Sequence, residues 1–116
     1  HALGGLEGHR LHHGTLNAVL LPHVLRFNAP VVGDRYAAIA AALGVGADAD
    51  MPDADLPDAV RRLTESIGLP TTLGAMGGDA SVIEGAAAQA MRDLTTMTNP
   101  RPPALADYAE IIRQAL

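Results

Sequence analysis

Residues 1–28, HALGGLEGHRLHHGTLNAVLLPHVLRFN, hold all five histidines of the chain and run from a glycine-rich loop into an apolar segment. From Gly14 to Arg26 the apolar residues Leu16, Val19, Leu20, Leu21, Val24 and Leu25 recur at helical spacing. They spread broadly around the axis, which predicts a helix buried on most sides. Pro22 lies inside it and should kink it or remove one hydrogen bond, and Asn28-Ala29-Pro30 is expected to end it.

Further helices follow outward from this one. Asp34 can cap a second, with the stripe Tyr36, Ile39, Ala40 and Leu43 and Gly44 as its stop. Residues 44–58 contain five Asp, two Pro and two Gly, and read as an exposed acidic connection. The ligand spacing of an EF-hand loop, with its closing Glu, is absent from it. Leu56, Val60, Leu63 and Ile67 form the cleanest amphipathic pattern in the chain, closed by Gly68-Leu69-Pro70. Thr71 to Gly78 reads as one short helical turn and a Gly-Gly break. Asp79 or Ser81 starts a helix with Ile83, Ala87, Ala90 and Leu94 on one face. Residues 98–103, TNPRPP, form a rigid extended connector to a last helix with Leu105, Tyr108, Ile112 and Leu116 inward. The expected fold class is all-α, a bundle of five or six helices with no strand.

Composition agrees. The 116 residues suffice for one modest core, and with one Phe, two Tyr and no Trp that core rests on Leu, Ile, Val, Met and Ala. Small side chains let helices approach closely. A net charge of −5 argues against nucleic acid, whose phosphates require a basic face. The chain has no Cys, so it carries no disulfides or thiolate ligands, and this suits a reducing cytoplasm. No apolar run approaches the roughly 20 residues that span a bilayer, so no membrane partner is expected. The chain opens at His1 without a starter Met or signal segment, and is expected to be a fragment from the C-terminal part of a longer protein.

Neutral imidazole is the commonest side-chain ligand of zinc and a frequent ligand of iron, so the histidines decide the functional reading. His9 and His13 are four apart, which on a helix would place both on one face, but Gly8 and Gly14 flank them. The adjacent His12 and His13 cannot both point one way. His23 follows Pro22 in an apolar helix, where a packed imidazole bonded to a freed backbone carbonyl is favoured over a ligand role. His13, at the first turn of a buried helix, is held rigidly enough to aim at a cleft, as metal ligands are. A catalytic metal usually has three protein ligands, more than this chain supplies.

These residues resemble the C-terminal helical domain of the iron-containing (group III) alcohol dehydrogenases, part of a dehydroquinate-synthase-like helical fold. The match runs through His1, Leu3-Gly4, His13-Gly14, Asn17-Ala18, Leu20-Leu21-Pro22-His23-Val24 and Phe27-Asn28. It continues through Gly68-Leu69-Pro70-Thr71-Thr72-Leu73 and Thr98-Asn99-Pro100-Arg101. The resemblance implies a two-domain enzyme that interconverts an alcohol with its aldehyde or ketone. An N-terminal domain, absent here, would bind most of NAD or NADP, and residues 1–116 would be a metal-binding helical domain. The implied metal is Fe2+ or Zn2+, held by one Asp and three His. His13 matches the last of those histidines, and His1 matches a non-ligand histidine near the nicotinamide that aids proton transfer. The other ligands lie upstream in the family. The interval between His1 and His13 is two residues longer than the family's usual one, so residues 5–11 must be remodelled. His12 stands where proline is usual and is expected to face solvent. Alone, the fragment is expected to be inactive. The parent is expected to be a cytoplasmic homo-oligomer acting on a small alcohol or aldehyde. The alternatives are a stand-alone helical metal-binding or interaction module without catalysis, and a maleylacetate reductase. The latter's usual H-A-E-T-H fits less well than His13-Gly14-Thr15-Leu16-Asn17.

Overall fold

In the computed structural model, residues 1–5, 11–32, 34–45 and 55–116 are described. Every regular element among them is helical: α1 (His13–Val32), α2 (Asp34–Ala42), α3 (Leu56–Ser66), α4 (Val82–Ala90) and α5 (Leu105–Gln114). Short 3-10 segments cover Leu3–Gly5, Gly74–Met76 and Leu94–Thr98. Helix α1 lies against α3 and α5, and α4 packs on α5. The core gathers Leu3, Leu16, Val19, Leu73, Val82, Ile83, Ala86, Ala87 and Ile112. Alanine at positions 86 and 87 lets α4 sit close to its neighbours, as the composition suggested.

Several boundaries are set locally, and the stops at Gly44 and Gly68 match the sequence. Gly44 (φ +72°) and Gly68 (φ +76°) adopt the left-handed conformation that other residues avoid. At both, a six-residue return bond closes the preceding helix, from Val45 N–H to the Ala40 carbonyl and from Leu69 N–H to the Thr64 carbonyl. Asp55 caps α3 by accepting a hydrogen bond from Asp58 N–H at 2.9 Å. Residues 46–54, most of the acidic connection, lie outside the described residues.

Other expectations need correction. Helix α1 continues through Pro30 to Val32. Proline there removes only one donor near the helix end, and the last turns are held from outside. Helix α1 is also covered on one side rather than most, since Leu21 and Val31 are exposed. In α2, Ile39 is exposed and Tyr36 and Ala40 are half-buried, and Leu43, just past the helix, is exposed. In α3 the predicted stripe is rotated. Leu56, Pro57 and Thr64 are buried, whereas Leu63 (53% exposed) and Ile67 (64%) face outward. Thr64 tolerates burial because its hydroxyl donates to the Val60 carbonyl. Helix α4 stops at Ala90, and Leu94, expected on its inner face, begins a 3-10 segment and is 79% exposed. Leu105 of α5 is likewise exposed, while Ile112 and Ala115 are buried.

Two of the quoted motifs meet in a polar clip. Buried Asn28 and half-buried Asn99 exchange amide hydrogen bonds, each Nδ2 donating to the other's Oδ1 at 2.9 Å. Asn99 Nδ2 also donates to the Arg101 carbonyl. The Arg101 guanidinium lies 4.0 Å from the centre of the Phe27 ring and donates to the Phe27 carbonyl at 2.9 Å. Residues 99–101 therefore fasten the connector before α5 to the C-terminal half of α1.

Candidate functional site

The candidate site forms at the N-terminal end of α1. His12 caps that end: its Nδ1 lies 3.4 Å from Thr15 N–H and 3.1 Å from Thr15 Oγ1. It is exposed and turned to the backbone, so it matches the solvent-facing expectation. Its ring lies over Gly14, where an added Cβ would come within 3.2 Å of His12 Cε1. His13, the first residue of α1, is exposed. Its Nε2 lies 3.1 Å from Asn17 Nδ2, one turn along the same face. Because the amide nitrogen can only donate, Nε2 is the acceptor and carries a lone pair.

His1 joins His13 although no helical spacing relates them. Ala2 and Leu3 are buried and anchor the 3-10 turn that follows His1. The two imidazole centroids are 5.4 Å apart, with their planes tilted by 31°. On its other side His1 Nδ1 lies 3.1 Å from Asp93 Oδ2. Asp93 caps the 3-10 segment, its Oδ1 accepting from Thr95 N–H at 2.9 Å and from Thr95 Oγ1–H at 2.8 Å. The Thr95 backbone and hydroxyl bonds hold the Asp93 carboxyl below its usual range, so it is ionised at neutral pH. A cavity of about 180 Å³ lies beside His1, lined mainly by apolar groups with Asn17, Thr95, Thr96 and Tyr108 among them. Asp93 and Asn17 were missed as site residues in the sequence. Asn17 carried a signal as the i+4 partner of His13, and the Asp-x-Thr pattern at 93–95 marked only a turn.

The donor set answers whether a metal fits. Among the described residues no three His, Cys, Asp or Glu side chains converge to hold an ion. His13 fits as one ligand, since it is exposed, fixed on a helix end and carries on Nε2 a lone pair that an ion would take over from Asn17, but the rest of the coordination must come from elsewhere. His9 lies outside the described residues.

His23 is a packed residue, as expected, but its partner is the Gln114 side chain rather than a freed carbonyl. Burial, reinforced by the Arg26 charge, lowers its pKa despite the Gln114 bond. The unfolded chain therefore takes up a proton at His23 at higher pH than the folded chain. The neutral ring's contribution to stability is complete above the unfolded value of about 6.5 and is lost as pH falls toward the folded value. His23→Gln should flatten that part of the stability–pH curve, measured by urea melts between pH 7.5 and 5. An unchanged slope would contradict the assignment.

None of the described helices is long and apolar enough to cross a membrane. The whole chain, residues 1–116, matches the sequence profile of the Fe-containing alcohol dehydrogenase family, C-terminal. It is 43% identical to a 4-hydroxybutyrate dehydrogenase of Cupriavidus necator, covering 100% of this chain and 31% of that protein. With an NAD-dependent methanol dehydrogenase of Bacillus methanolicus the identity is 34%, over 100% of this chain and 31% of the relative. Its fold superposes on the crystal structure of a 1,3-propanediol oxidoreductase with a TM-score of 0.84 and 35% identity, covering 100% of this chain and 31% of that one. The chain thus spans about three-tenths of the length of these relatives. It belongs to the iron-containing alcohol dehydrogenase family and corresponds to the all-α C-terminal domain of those enzymes.

Proposed function

We propose that this chain acts as the C-terminal helical part of a metal-dependent, NAD(P)-linked alcohol dehydrogenase acting on a small primary alcohol and its aldehyde. The observation that supports this most is the paired placement of His1 and His13, with rings 5.4 Å apart at one end of the bundle. His13 has the properties of a ligand, and His1 stands beside it without being needed as one. In this reading His13 supplies one donor to Fe2+ or Zn2+, residues upstream of this chain supply the other ligands, and an N-terminal nucleotide-binding domain supplies most of the cofactor site. When bound, the metal supplies Lewis acidity at the alcohol oxygen, and the nicotinamide accepts the hydride.

The remaining work falls to this chain's residues. His1 Nε2 takes the hydroxyl proton as the C–H electron pair leaves with the hydride and the carbonyl forms; in reduction the same nitrogen returns the proton. The apolar cavity beside His1 gives the carbon chain a place shielded from water, with Asn17, Thr95 and Tyr108 as its polar features. The relatives named for 4-hydroxybutyrate and methanol favour primary alcohols as the substrate class. The reading includes a cytoplasmic homo-oligomer as the parent enzyme.

The isolated chain should show no NAD(P)-dependent oxidation of methanol, 1,3-propanediol or 4-hydroxybutyrate. The polypeptide carrying it together with the nucleotide-binding domain, loaded with Fe2+ or Zn2+, should turn over at least one of them. Turnover by the isolated chain, or none by the loaded longer polypeptide, would overturn the proposal.

A further inference from the structure

We propose that Asp93 is a positioning residue that fixes the tautomer of His1, keeping the ring proton on Nδ1 and leaving Nε2 bare. The inference deepens the proposed function and rests on its reading of His1 as the proton acceptor. Asp93 Oδ1 receives both the N–H and the hydroxyl of Thr95, so the group cannot turn without losing the cap of the Leu94–Thr98 segment. That leaves Oδ2 for His1 Nδ1, 3.1 Å away. An ionised carboxylate only accepts hydrogen bonds, so Nδ1 must be the donor. A neutral imidazole in water favours the opposite tautomer, with its proton on Nε2, and the pairing therefore reverses the intrinsic preference.

Both partners are held by fixed structure. Buried Ala2 and Leu3 anchor the backbone beside His1, the His13 ring covers its other side, and Asp93 is tied to the turn it caps. The result is a directed dyad, with a carboxylate behind the imidazole and the opposite nitrogen free to accept a proton. In the serine-protease triad, replacing the corresponding Asp by Asn keeps the geometry but imposes the wrong tautomer, at a large cost in turnover.

Asp93→Asn gives a signed test. Thr95 N–H can only donate, so the Asn carbonyl must stay on Thr95 and its NH2 must face His1. Nδ1 then becomes an acceptor and the ring proton moves to Nε2. Long-range 1H–15N spectra of the chain at pH 8, where an ordinary imidazole is neutral, should show the Nδ1–H form in the parent and the Nε2–H form in Asp93→Asn. An Nε2–H parent, or an Asp93→Asn chain that keeps Nδ1–H, overturns the proposal. Asp93→Ser carries the test if the amide variant does not fold. Its hydroxyl can cap Thr95 but is too short to reach His1, so the free-histidine mixture should return, and retained Nδ1–H would again overturn the assignment. In the longer metal-loaded polypeptide, Asp93→Asn should lower kcat by about 10²-fold with KM little changed. A tautomer switch without that fall would uphold the pairing of Asp93 with His1 and remove His1 from the proposed reaction, so the two failures are separable.

Discussion

In the longer metal-loaded polypeptide, His13→Ala is expected to lower kcat/KM for the alcohol by about 10³-fold or more, or about 4 kcal/mol of transition-state stabilisation. The size follows from the role. A catalytic divalent ion is typically held by three or four protein donors, and loss of one weakens both its retention and its geometry. His13 is exposed and opens α1, so alanine there removes no core packing. The variant should keep the parent's circular dichroism and melting temperature as an isolated chain. Steady-state kinetics at saturating NAD(P) would check the loss. Activity within tenfold of the parent would show that the reacting centre does not depend on this imidazole.

Asn28→Ala should produce the largest loss of stability among the polar substitutions, about 2–3 kcal/mol. It removes both reciprocal amide bonds to Asn99, each worth about 1 kcal/mol net, and leaves the Asn99 carbonyl oxygen without that partner. It also leaves a small void at a buried position, next to a turn of α1 already short of a donor at Pro30. For a domain of this size the melting temperature should fall by about 10 °C. Asn99→Ala should cost a similar amount, and the double variant little more than either, because both remove the same pair of bonds. Fully additive losses would mean that the two amides do not act through each other. Thermal and urea melts of the four chains make the comparison.

The features legible from sequence were those fixed within one or two turns of chain. Gly44 and Gly68 announced helix ends because the left-handed conformation is cheap only for glycine, whereas the Asp55 cap and the early Pro57 that start α3 lay within the stretch read as an acidic connection. Burial was less legible. The period of Leu56, Val60, Leu63 and Ile67 is truly helical, but a stripe records only where apolar residues lie. Which edge is covered depends on the helices packed against it, α1 and α2, and Pro57 and Thr64 are buried in place of Leu63 and Ile67. At Leu94 a local competitor won, because Asp93 caps a new 3-10 turn and ends the pattern carried by α4. The site divides the same way. His13 was readable as a rigid helix-start histidine. Its meeting with His1, twelve positions away across a glycine-rich stretch of sequence, follows from no periodicity and was suggested only by resemblance. The pairing of His1 with Asp93 joins residues at opposite ends of the chain, and Asn28 meets Asn99 across a similar separation. No local rule reaches that far. The motifs around Phe27-Asn28 and Thr98–Arg101 were visible as words, and only the fold shows that they bond to each other.

Metal analysis of the longer polypeptide, purified with and without His13→Ala, probes the proposed role of this helix end at its source. The parent should retain close to one equivalent of iron or zinc per chain after gel filtration, and the alanine variant should lose most of it while staying folded. A full equivalent kept by the variant would place the cation elsewhere and contradict the assignment.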